Sequence, residues 1–450
     1  ALCYLAQDNI EEANRYVDLL LQEDPYYSIT VNDPERFAEL IRNKKEGKTT
    51  LVTASQQAET LEEAPVPVTL ITEEMIKAIG ARDLRDVLAA YVPGITIVEG
   101  NEHNISMHGI YNVAQDKILI MLNGHRLNSR STNAEAPDFR NSLDKIKQIE
   151  VLRGPASSLY GNVALTAVVN IITKSGNDVN GLKISYGMGD NSTIKGDMTF
   201  GKRFFDFDVF VWASIYSSDG EKRSISPNDK EFIGIIPING SMQIEGFNHK
   251  PAYDLGFTMH WNKIKLTFNQ QYSKKVFPYT SAALHPTIYT YDKYRLYNGM
   301  KPGHGRLATR GDLSYEDSKG NFSWNAHLFI DAEEHTHYDI SGDTLNTEDS
   351  HLPITNLQGE YIKDSILIQS TGVYQILEWK DYAYGGSISG NYKYEINKNA
   401  KGNILLGAQI ENYKMYYNLF LLGDQFDRTD ITYSDRNRQI ELGNEFNFSV

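Results

Sequence analysis

The sequence has little cysteine and no long apolar run. One of its 450 residues, Cys3, is a cysteine, so no disulfide can form within the chain. We predict that Cys3 is a small buried residue of a helix. No apolar stretch approaches the roughly 20 residues that a membrane-spanning helix needs. This leaves a soluble protein or a membrane protein built from alternating β-strands, which hydropathy does not detect.

Basic charge and a leader segment are also scarce. Lys and Arg number 44 against 58 Asp and Glu, and the net charge of −14 argues against nucleic acid as a partner. The chain begins Ala1-Leu-Cys-Tyr, with neither Met nor a basic-then-apolar leader. We therefore expect that a signal peptide and more have been removed, or that the sequence is a fragment.

Signals for an enzyme or a cofactor are missing. The sequence shows no nucleophile–base constellation and no phosphate-binding loop, so we expect a protein that is not an enzyme and carries no cofactor. His335 and His337, with His351 nearby, suggest a metal or haem ligand set. Their spacing is not that of a strong metal motif, and exposed histidine pairs without a ligand are the favoured interpretation.

The N-terminal part, residues 1–47, has helical periodicity. Ile10, Ala13 and Val17 share one face, and a second helix is predicted over residues 34–45. The spacing resembles the latter part of a tetratricopeptide repeat, a unit that needs neighbours to bury its apolar face. The extension is either a protein-docking module or a helical spacer.

A polar linker and an α/β pattern follow. The linker, residues 48–64, contains a β-prone run at residues 49–53 that could add a strand to the sheet edge of another protein. Residues 65–176 alternate short strand-like and helix-like runs, including a helix predicted at residues 142–147. Asn123-Gly124 is the strongest hairpin signal in the chain.

From residue 177 to residue 450 the hydrophobic period changes to two. Many segments have about ten residues, the length that crosses a bilayer as a tilted strand. Connectors alternate between short and long, as in an outer-membrane β-barrel; a large soluble sandwich or barrel is the alternative. We count about twelve strands, whereas a plugged barrel has roughly 22. Since lipid does not tolerate an open sheet edge, we expect the other strands to be missing from this sequence or supplied elsewhere.

Five motifs, in order, resemble one family. The run IEVLRGPASSLYGNVALTAVVNIITK, residues 149–174, closely resembles the plug signature of TonB-dependent outer-membrane receptors. The family's other plug segments resemble PVPVTLITEEMI, LRDVLAAYVPGITI, ISMHGI and ILIMLNGHRL. The sequence departs from the family at His108, where Arg is usual, and at Asn123-Gly124, where Asp-Gly is usual.

The resemblance implies a mainly β membrane protein. We expect an antiparallel transmembrane β-barrel, with about half of its strands in this chain, plugged by a small α/β domain and preceded by short α-helices. The implied function is TonB-dependent import of a scarce, bulky nutrient across the bacterial outer membrane. Metal chelates such as siderophores, haem, cobalamin and glycans are the candidate nutrients. The alternative is an outer-membrane scaffold that recruits partners through its helical N-terminus.

The implied partners are TonB, which is the inner-membrane energising protein, outer-membrane lipids and an extracellular ligand. A surface lipoprotein or periplasmic protein docking on the helical extension is a further expectation. The linker resembles a TonB box, the segment that TonB grips. Its residues are Thr50, Leu51, Val52, Thr53, Ala54 and Ser55.

Two further sets of site residues follow from the resemblance. Glu150 and Arg153 flank a turn that should face the barrel wall, and we predict that they contact the barrel; plain surface charges are the alternative. Loops facing outside are predicted to bind the substrate. In the plug these residues are Glu99, Glu102, His103, Asn104, Arg126, Asn128 and Arg130, and in the barrel they are Tyr279, Tyr289 and Tyr291. Tyrosine offers a large amphipathic contact area at low entropic cost.

Overall fold

The computed structural model describes most of the chain. It covers residues 2–6, 10–23, 34, 36–37, 40–41, 50–51, 59–60, 67–98, 104–111, 116–135, 137–138, 140–161, 163–225, 240–244, 251–276, 303–340, 354–355, 361–363, 374–397, 400–422 and 438–449. These residues form a helical N-terminal unit, an α/β domain and a large antiparallel sheet. Within these ranges, no helix has the length and apolarity that crossing a membrane requires.

The helical unit consists of α1 (Leu2–Ala6) and α2 (Ile10–Glu23). Its buried cluster comprises Leu5, Ala13, Val17, Phe37 and Ile41. The predicted amphipathic helix is confirmed, and the tetratricopeptide resemblance stays a prediction. Cys3 is exposed, so the prediction of a buried cysteine is wrong: α1 turns Leu5 into the cluster and leaves Cys3 in solvent.

The α/β part begins with a hairpin and ends with a one-turn helix. Its elements are β1 (Thr50–Leu51), β2 (Glu59–Thr60), β3 (Val68–Thr72), α3 (Glu73–Ala78), α4 (Leu84–Tyr91), β4 (Ile95–Val98), β5 (Asn104–Met107), β6 (Ile118–Leu122), β7 (His125–Arg126), β8 (Ile146–Arg153), α5 (Ser157–Tyr160), β9 (Ala167–Thr173) and α6 (Gly176–Val179). Its main sheet has the order β3-β8-β9-β6-β7, with β6 parallel to β9 and the other neighbours antiparallel. Strands β4 and β5 form a separate pair, and β1 pairs with β2.

Local chemistry explains these boundaries. The Thr72 side chain accepts a hydrogen bond from the Met75 backbone N–H and caps α3. Asp83 caps α4 in the same way. Asn123 and Gly124 both have positive φ angles, of 50° and 86°, as a tight two-residue hairpin requires. The predicted alternation of strands and helices and the predicted hairpin of this domain are therefore confirmed.

One predicted helix is wrong. Residues 142–145 form turns, and strand β8 begins at Ile146. The backbone N–H of Ser142 and the Lys145 ammonium both bind Asp254 of the large sheet. This tertiary contact outweighs the helical propensity of the segment.

The large sheet has ten strands in the part of the chain described. They are β10 (Gly181–Gly189), β11 (Thr193–Phe204), β12 (Phe207–Ser217), β15 (Ala252–Trp261), β16 (Ile264–Val276), β17 (Gly303–Lys319), β18 (Phe322–Ile340), β21 (Tyr374–Asn397), β22 (Ala400–Leu422) and β23 (Arg438–Ser449). The connections carry two small hairpins, β13 (Glu221–Ile225) with β14 (Gly240–Ile244) and β19 (Ile354–Thr355) with β20 (Tyr361–Lys363). Each strand pairs antiparallel with its neighbour, and β10 and β23 are the edges among the described strands.

Connections and side chains follow the predicted layout. Residues 205–206, 262–263 and 320–321 make two-residue turns on one side of the sheet. On the other side, the sequence between β16 and β17 is residues 277–302, which lie outside the described residues. Along β18, Leu328 and Ile330 are exposed, whereas Asp331 and Glu333, at alternate positions of the same strand, are buried. An apolar outer face and a polar inner face are typical of a barrel wall in a membrane.

Candidate functional site

The α/β domain meets the inner face of the large sheet across a buried polar layer. Lys145 is fully buried, and its Nζ lies 2.5 Å from Oδ2 of Asp254 on β15. The same carboxylate accepts hydrogen bonds from the Ser142 backbone N–H at 2.8 Å, Trp212 Nε1 at 2.9 Å and Asn269 Nδ2 at 2.8 Å. Four donors therefore offset the cost of burying this charge.

Two arginines of β17 hold the domain's loop from the sheet side. Arg306 forms an ion pair with Glu135 of the domain and donates to both oxygens of Glu333, at 2.7 and 3.2 Å. Arg306 and Arg310 also donate to the backbone oxygen of Leu127, at 3.0 and 2.6 Å. This backbone oxygen therefore receives two charged hydrogen bonds, which are stronger than neutral ones.

A third arginine belongs to the α/β domain and contacts carboxylates of the large sheet. Arg130 of the domain makes a bidentate contact with Glu411 on β22, at 2.7 and 3.0 Å, and lies 3.5 Å from Asp331. Burial alone would lower the pKa of Arg130, but the carboxylates of Asp331 and Glu411 outweigh it and raise that pKa. His125 Nε2 lies 2.8 Å from the other oxygen of Asp331.

We call this set of contacts the charged wall. It joins His125, Arg130 and Glu135 of the domain to Arg306, Asp331 and Glu411 of the sheet. Charged pairs that face each other in a water-poor layer fix orientation while adding little net stability.

A different contact lies where the domain's chain enters the sheet, and we call it the seam. It consists of α6 packed on β11 and β12. The Asp208 carboxylate accepts the backbone N–H groups of Gly176 and Asn177, at 2.6 and 3.0 Å. A Cβ atom on Gly176 would overlap the carbonyl oxygens of Lys202 and Val209. The seam is therefore a close backbone fit.

Apolar packing extends the seam. Phe210 and Trp212 of β12 are buried, at 0% and 1% exposure, and belong to the same apolar cluster as the interior of the α/β domain. The domain and the first strands of the sheet thus share a core.

Three of the residues predicted to bind the ligand form hydrogen bonds within the α/β domain. Asn128 is buried, accepts from the Ile120 backbone N–H at 2.7 Å and donates to the Ile118 oxygen at 3.0 Å. Arg126 donates to the backbone oxygen of Asn128 at 3.0 Å, and Asn104 accepts from the N–H that follows it. These side chains shape the loop, and their role toward a ligand stays a prediction.

The predicted contact residues Glu150 and Arg153 lie at the other end of the domain. Glu150 is fully buried in β8 and accepts from Gln148 Nε2 at 2.8 Å. The Arg153 backbone N–H donates to the Pro67 oxygen at 3.0 Å. The ion pairs described between domain and sheet come instead from residues 125–145, and the assignment of Glu150 and Arg153 to that contact stays a prediction.

The sequence offered one signal for the residues that were missed. Inward-facing positions of β15–β22 carry polar or charged side chains such as Asp254, Asn269 and Arg310, a pattern that a membrane strand needs only on its inner face. Asp331 and Glu333 are one such pair, and both are buried. This alternation places charged residues on the inner face of the sheet, but it does not identify the plug residues with which they pair.

Several predicted residues lie outside the described ranges. They are Glu99, Glu102 and His103, then Tyr279, Tyr289 and Tyr291, and Val52, Thr53, Ala54 and Ser55 of the linker. The first two residues of the predicted TonB box form β1, in which Thr50 pairs with Thr60 and Leu51 with Glu59.

Residues 60–168 match the family model of the TonB-dependent receptor plug domain. This match confirms the predicted resemblance of the plug to TonB-dependent receptors. The chain's α/β domain is the plug, its ten-stranded sheet is the barrel wall, and the predicted fold class and outer-membrane location are confirmed.

Named relatives and a solved structure agree with this family. The iron-regulated outer membrane virulence protein of Vibrio cholerae is 36% identical over 137 residues, which are 29% of this chain and 20% of that protein. The vitamin B12 transporter BtuB of Vibrio vulnificus is 24% identical over 278 residues, 60% of this chain and 40% of that protein. The ferric yersiniabactin uptake receptor FyuA of Yersinia pestis superposes with a TM-score of 0.53 at 12% identity, covering 80% of this chain and 50% of FyuA. The chain thus spans half or less of each of these proteins.

Proposed function

We propose that the protein imports an iron chelate or cobalamin across the bacterial outer membrane, driven by TonB. The names of the relatives support these two cargo classes: one is iron-regulated, one is a vitamin B12 transporter, and FyuA takes up ferric yersiniabactin. The observation that carries the proposal is the charged wall between plug and barrel. A barrel of this family leaves a wide lumen, so cargo can pass only if the plug shifts or rearranges.

The charged wall suits such a movement. Removing one partner of a buried ion pair leaves a bare charge and is costly, whereas parting both partners into water lets each rehydrate. The net cost of opening the whole wall is therefore small. The contacts named for the charged wall are made by charged and polar groups, so the hydrophobic penalty for parting them is small as well.

The energy that moves the plug is transmitted through the linker in this proposal. We propose that Thr50–Ser55 pairs with a strand of TonB, and the short β1–β2 hairpin supports this. Its two residue pairs give a weak internal partner that a longer strand pairing can replace. Main-chain hydrogen bonds carry such a grip, so side-chain identity matters little there.

A pair of substitutions at Leu51 tests the grip. Leu51→Pro removes a backbone N–H and distorts the strand, whereas Leu51→Ala keeps the backbone intact. We expect the proline variant, like deletion of Thr50–Ser55, to lose uptake of labelled ferric chelate or cyanocobalamin while surface binding is unchanged. The alanine variant should take up cargo normally. Uptake that survives the deletion would show that the chain does not work by this mechanism.

Cargo recognition is assigned to the outward loops. We propose that the extracellular ligand contacts the residues predicted to bind it. In the plug these are Glu99, Glu102, His103, Asn104, Arg126, Asn128 and Arg130, and in the barrel they are Tyr279, Tyr289 and Tyr291. We also propose that Glu150 and Arg153 add to the plug–barrel contact. Tyrosine rings match the flat apolar parts of such cargo and keep a hydroxyl for its polar groups.

A second role is proposed for the helical extension. Leu2, Tyr16 and Leu19 are each more than two-fifths exposed although the extension has its own buried cluster. We propose that this face docks a surface lipoprotein or periplasmic protein, as a scaffold would. Removing residues 1–45 should then lose that partner while uptake stays normal, and a deletion that retains the partner would rule out the docking role.

A further inference from the structure

A compact set of possible metal ligands lies in the barrel lumen beside the charged wall. Glu333 and His335 of β18 and Asp381 of β21 are all buried. His335 Nε2 lies 3.2 Å from Glu333 Oε2 and 3.9 Å from Asp381 Oδ2, and one ligand atom from each residue falls within 4.8 Å of the others. Ligand atoms around a tetrahedral ion bound at about 2.0–2.1 Å are separated by about 3.3 Å, so a small contraction would complete this set.

The histidine ring is held in the orientation that coordination needs. It stacks on Trp379, with ring centroids 4.5 Å apart and an interplanar angle of 8°. Its Nδ1 lies 3.5 Å from His304 Nε2. When the Nδ1 proton is donated to His304, the Nε2 lone pair faces both carboxylates. A ligand histidine whose second nitrogen donates to a neighbour is the usual arrangement at protein metal sites.

The surrounding charge favours a cation. Among the described residues, the buried carboxylates of this layer include Glu135, Asp138, Asp312, Asp331, Glu333, Asp381 and Glu411, and the arginines include Arg130, Arg140, Arg306 and Arg310. These seven carboxylates exceed the four guanidinium groups, and the excess remains if His125 is protonated. Excess negative charge in a water-poor layer is unfavourable, and a bound divalent ion would reduce it.

The three ligands are not equally available. Arg306 Nε lies 3.2 Å from the same oxygen of Glu333 that faces His335, so an ion would share that carboxylate with the arginine. Asp381 Oδ2 accepts from the Ser131 hydroxyl of the plug at 2.5 Å. His335 and Asp381 are therefore the principal ligands, and the second of them touches the plug loop.

We propose that Glu333, His335 and Asp381 bind a divalent first-row transition-metal ion, the class that includes Zn²⁺. One imidazole with two carboxylates suits such an ion better than Mg²⁺ or Ca²⁺, which take oxygen ligands. The ion is resident rather than cargo, so the site goes beyond the proposed import. Because the Ser131 hydroxyl donates a hydrogen bond to Asp381, an ion held by Asp381 also stabilises the contact between the plug loop and β21.

Zn²⁺ binding to the purified, chelator-treated full-length protein tests the site. Calorimetry with Zn²⁺ alone should show a site that His335→Gln and Asp381→Asn both abolish. His327→Gln is the matched control, because His327 is also an inward histidine of β18 but lies beside Asp312, at 3.4 Å. It should bind Zn²⁺ as the wild type does. His304→Phe should weaken binding about 10–100-fold, the usual effect of removing a supporting hydrogen bond.

Equal binding by the wild type and His335→Gln, or no binding by the wild type, would overturn the proposal. X-ray absorption spectroscopy of the wild-type 1:1 Zn²⁺ complex is a second test, and it does not depend on the folding of any variant. It should show nitrogen and oxygen ligands with the scattering pattern of one imidazole. A spectrum without imidazole would also overturn the proposal. Uptake is not the readout, so failure of the import mechanism would leave this result unaffected.

Discussion

The seam and the charged wall hold the same plug against the same barrel by different physical means. At the seam, backbone amides of α6 bind Asp208, Gly176 fits against carbonyl oxygens, and Trp212 shares the plug's apolar core. At the charged wall, side chains such as Arg130 and Glu411 meet as ion pairs. Separating plug and barrel at the seam would expose buried apolar side chains to water and break a close backbone fit. At the charged wall, the charged groups can exchange their partners for water.

This difference suggests a division of labour. The seam keeps the plug attached next to the strand that continues its chain, and the charged wall lets the opposite side open. A pull on the linker would then open the plug on one side and leave it anchored on the other.

The largest effect is expected at Lys145, between the two regions. Lys145→Ala leaves the Asp254 carboxylate buried without its cation and should lower the free energy of unfolding by about 3–5 kcal/mol. Lys147→Ala is the control, because its pair with Asp178 is more than a quarter exposed on both sides and should cost about 0–1 kcal/mol. Denaturant unfolding in detergent measures both. Equal losses would show that burial does not set the strength of these contacts.

The next effect is expected at the seam. Gly176→Ala forces a methyl group against two carbonyl oxygens and should destabilise the plug by about 1–3 kcal/mol. Gly187→Ala is the control, since nothing lies within 4 Å of a Cβ placed there. Proteolysis of the plug in intact outer membranes reports the difference. A plug that is as protected in Gly176→Ala as in the control would mean that the close fit is unimportant.

A smaller effect is expected next to the charged wall. Ser131→Ala removes the hydroxyl that donates to Asp381 and accepts from Trp379 Nε1 at 3.0 Å. Asp381 keeps its bond from Tyr413 at 3.2 Å, so we expect a loss of about 1 kcal/mol. Hydrogen exchange of residues 129–134 should increase in this variant. Thr132→Ala, which removes only an exposed bond to the Ala134 N–H, should leave exchange nearly unchanged. The same exchange in both variants would contradict a role for Asp381 in holding the loop.

The smallest effect is a pH dependence at the seam. Burial alone would raise the pKa of Asp178, but Lys147 and the Ser175 cap outweigh it and lower that pKa. The folded carboxyl therefore titrates below its unfolded value of about 4. Its stabilisation is fully present above that value and is lost as the pH falls through the folded pKa. Unfolding followed from pH 6 downward should show a weaker acid dependence in Asp178→Asn, and an unchanged dependence would exclude this carboxyl as the cause.

The sequence predicted the elements that depend on local chemistry. Asn123-Gly124 makes a hairpin, and the two-residue period of the C-terminal part becomes a sheet with an apolar outer face. Each of these outcomes depends on residues within a few positions of one another, which is why the pattern alone is enough.

The site could not be predicted in the same way. Lys145 and Asp254 are distant in sequence, and their contact depends on how the plug is seated and on the register of β15. The same contact removes the helix predicted at residues 142–147. Arg130 lies in an outward loop and is predicted to bind cargo, and the sequence does not predict its pairing with Glu411 of β22. Pairings of this kind are set by tertiary packing, which local patterns do not encode.

Two cross-links made in a Cys3→Ser background test the division of labour directly. Ser131→Cys with Asp381→Cys ties the plug to the barrel beside the charged wall, and Asn177→Cys with Asp208→Cys ties it at the seam. We predict that the first cross-link blocks uptake of labelled cargo until a reductant is added, while surface binding persists. The second should leave uptake unchanged. Uptake that survives the first cross-link, or that is lost with the second, would contradict a plug that opens at the wall and stays anchored at the seam.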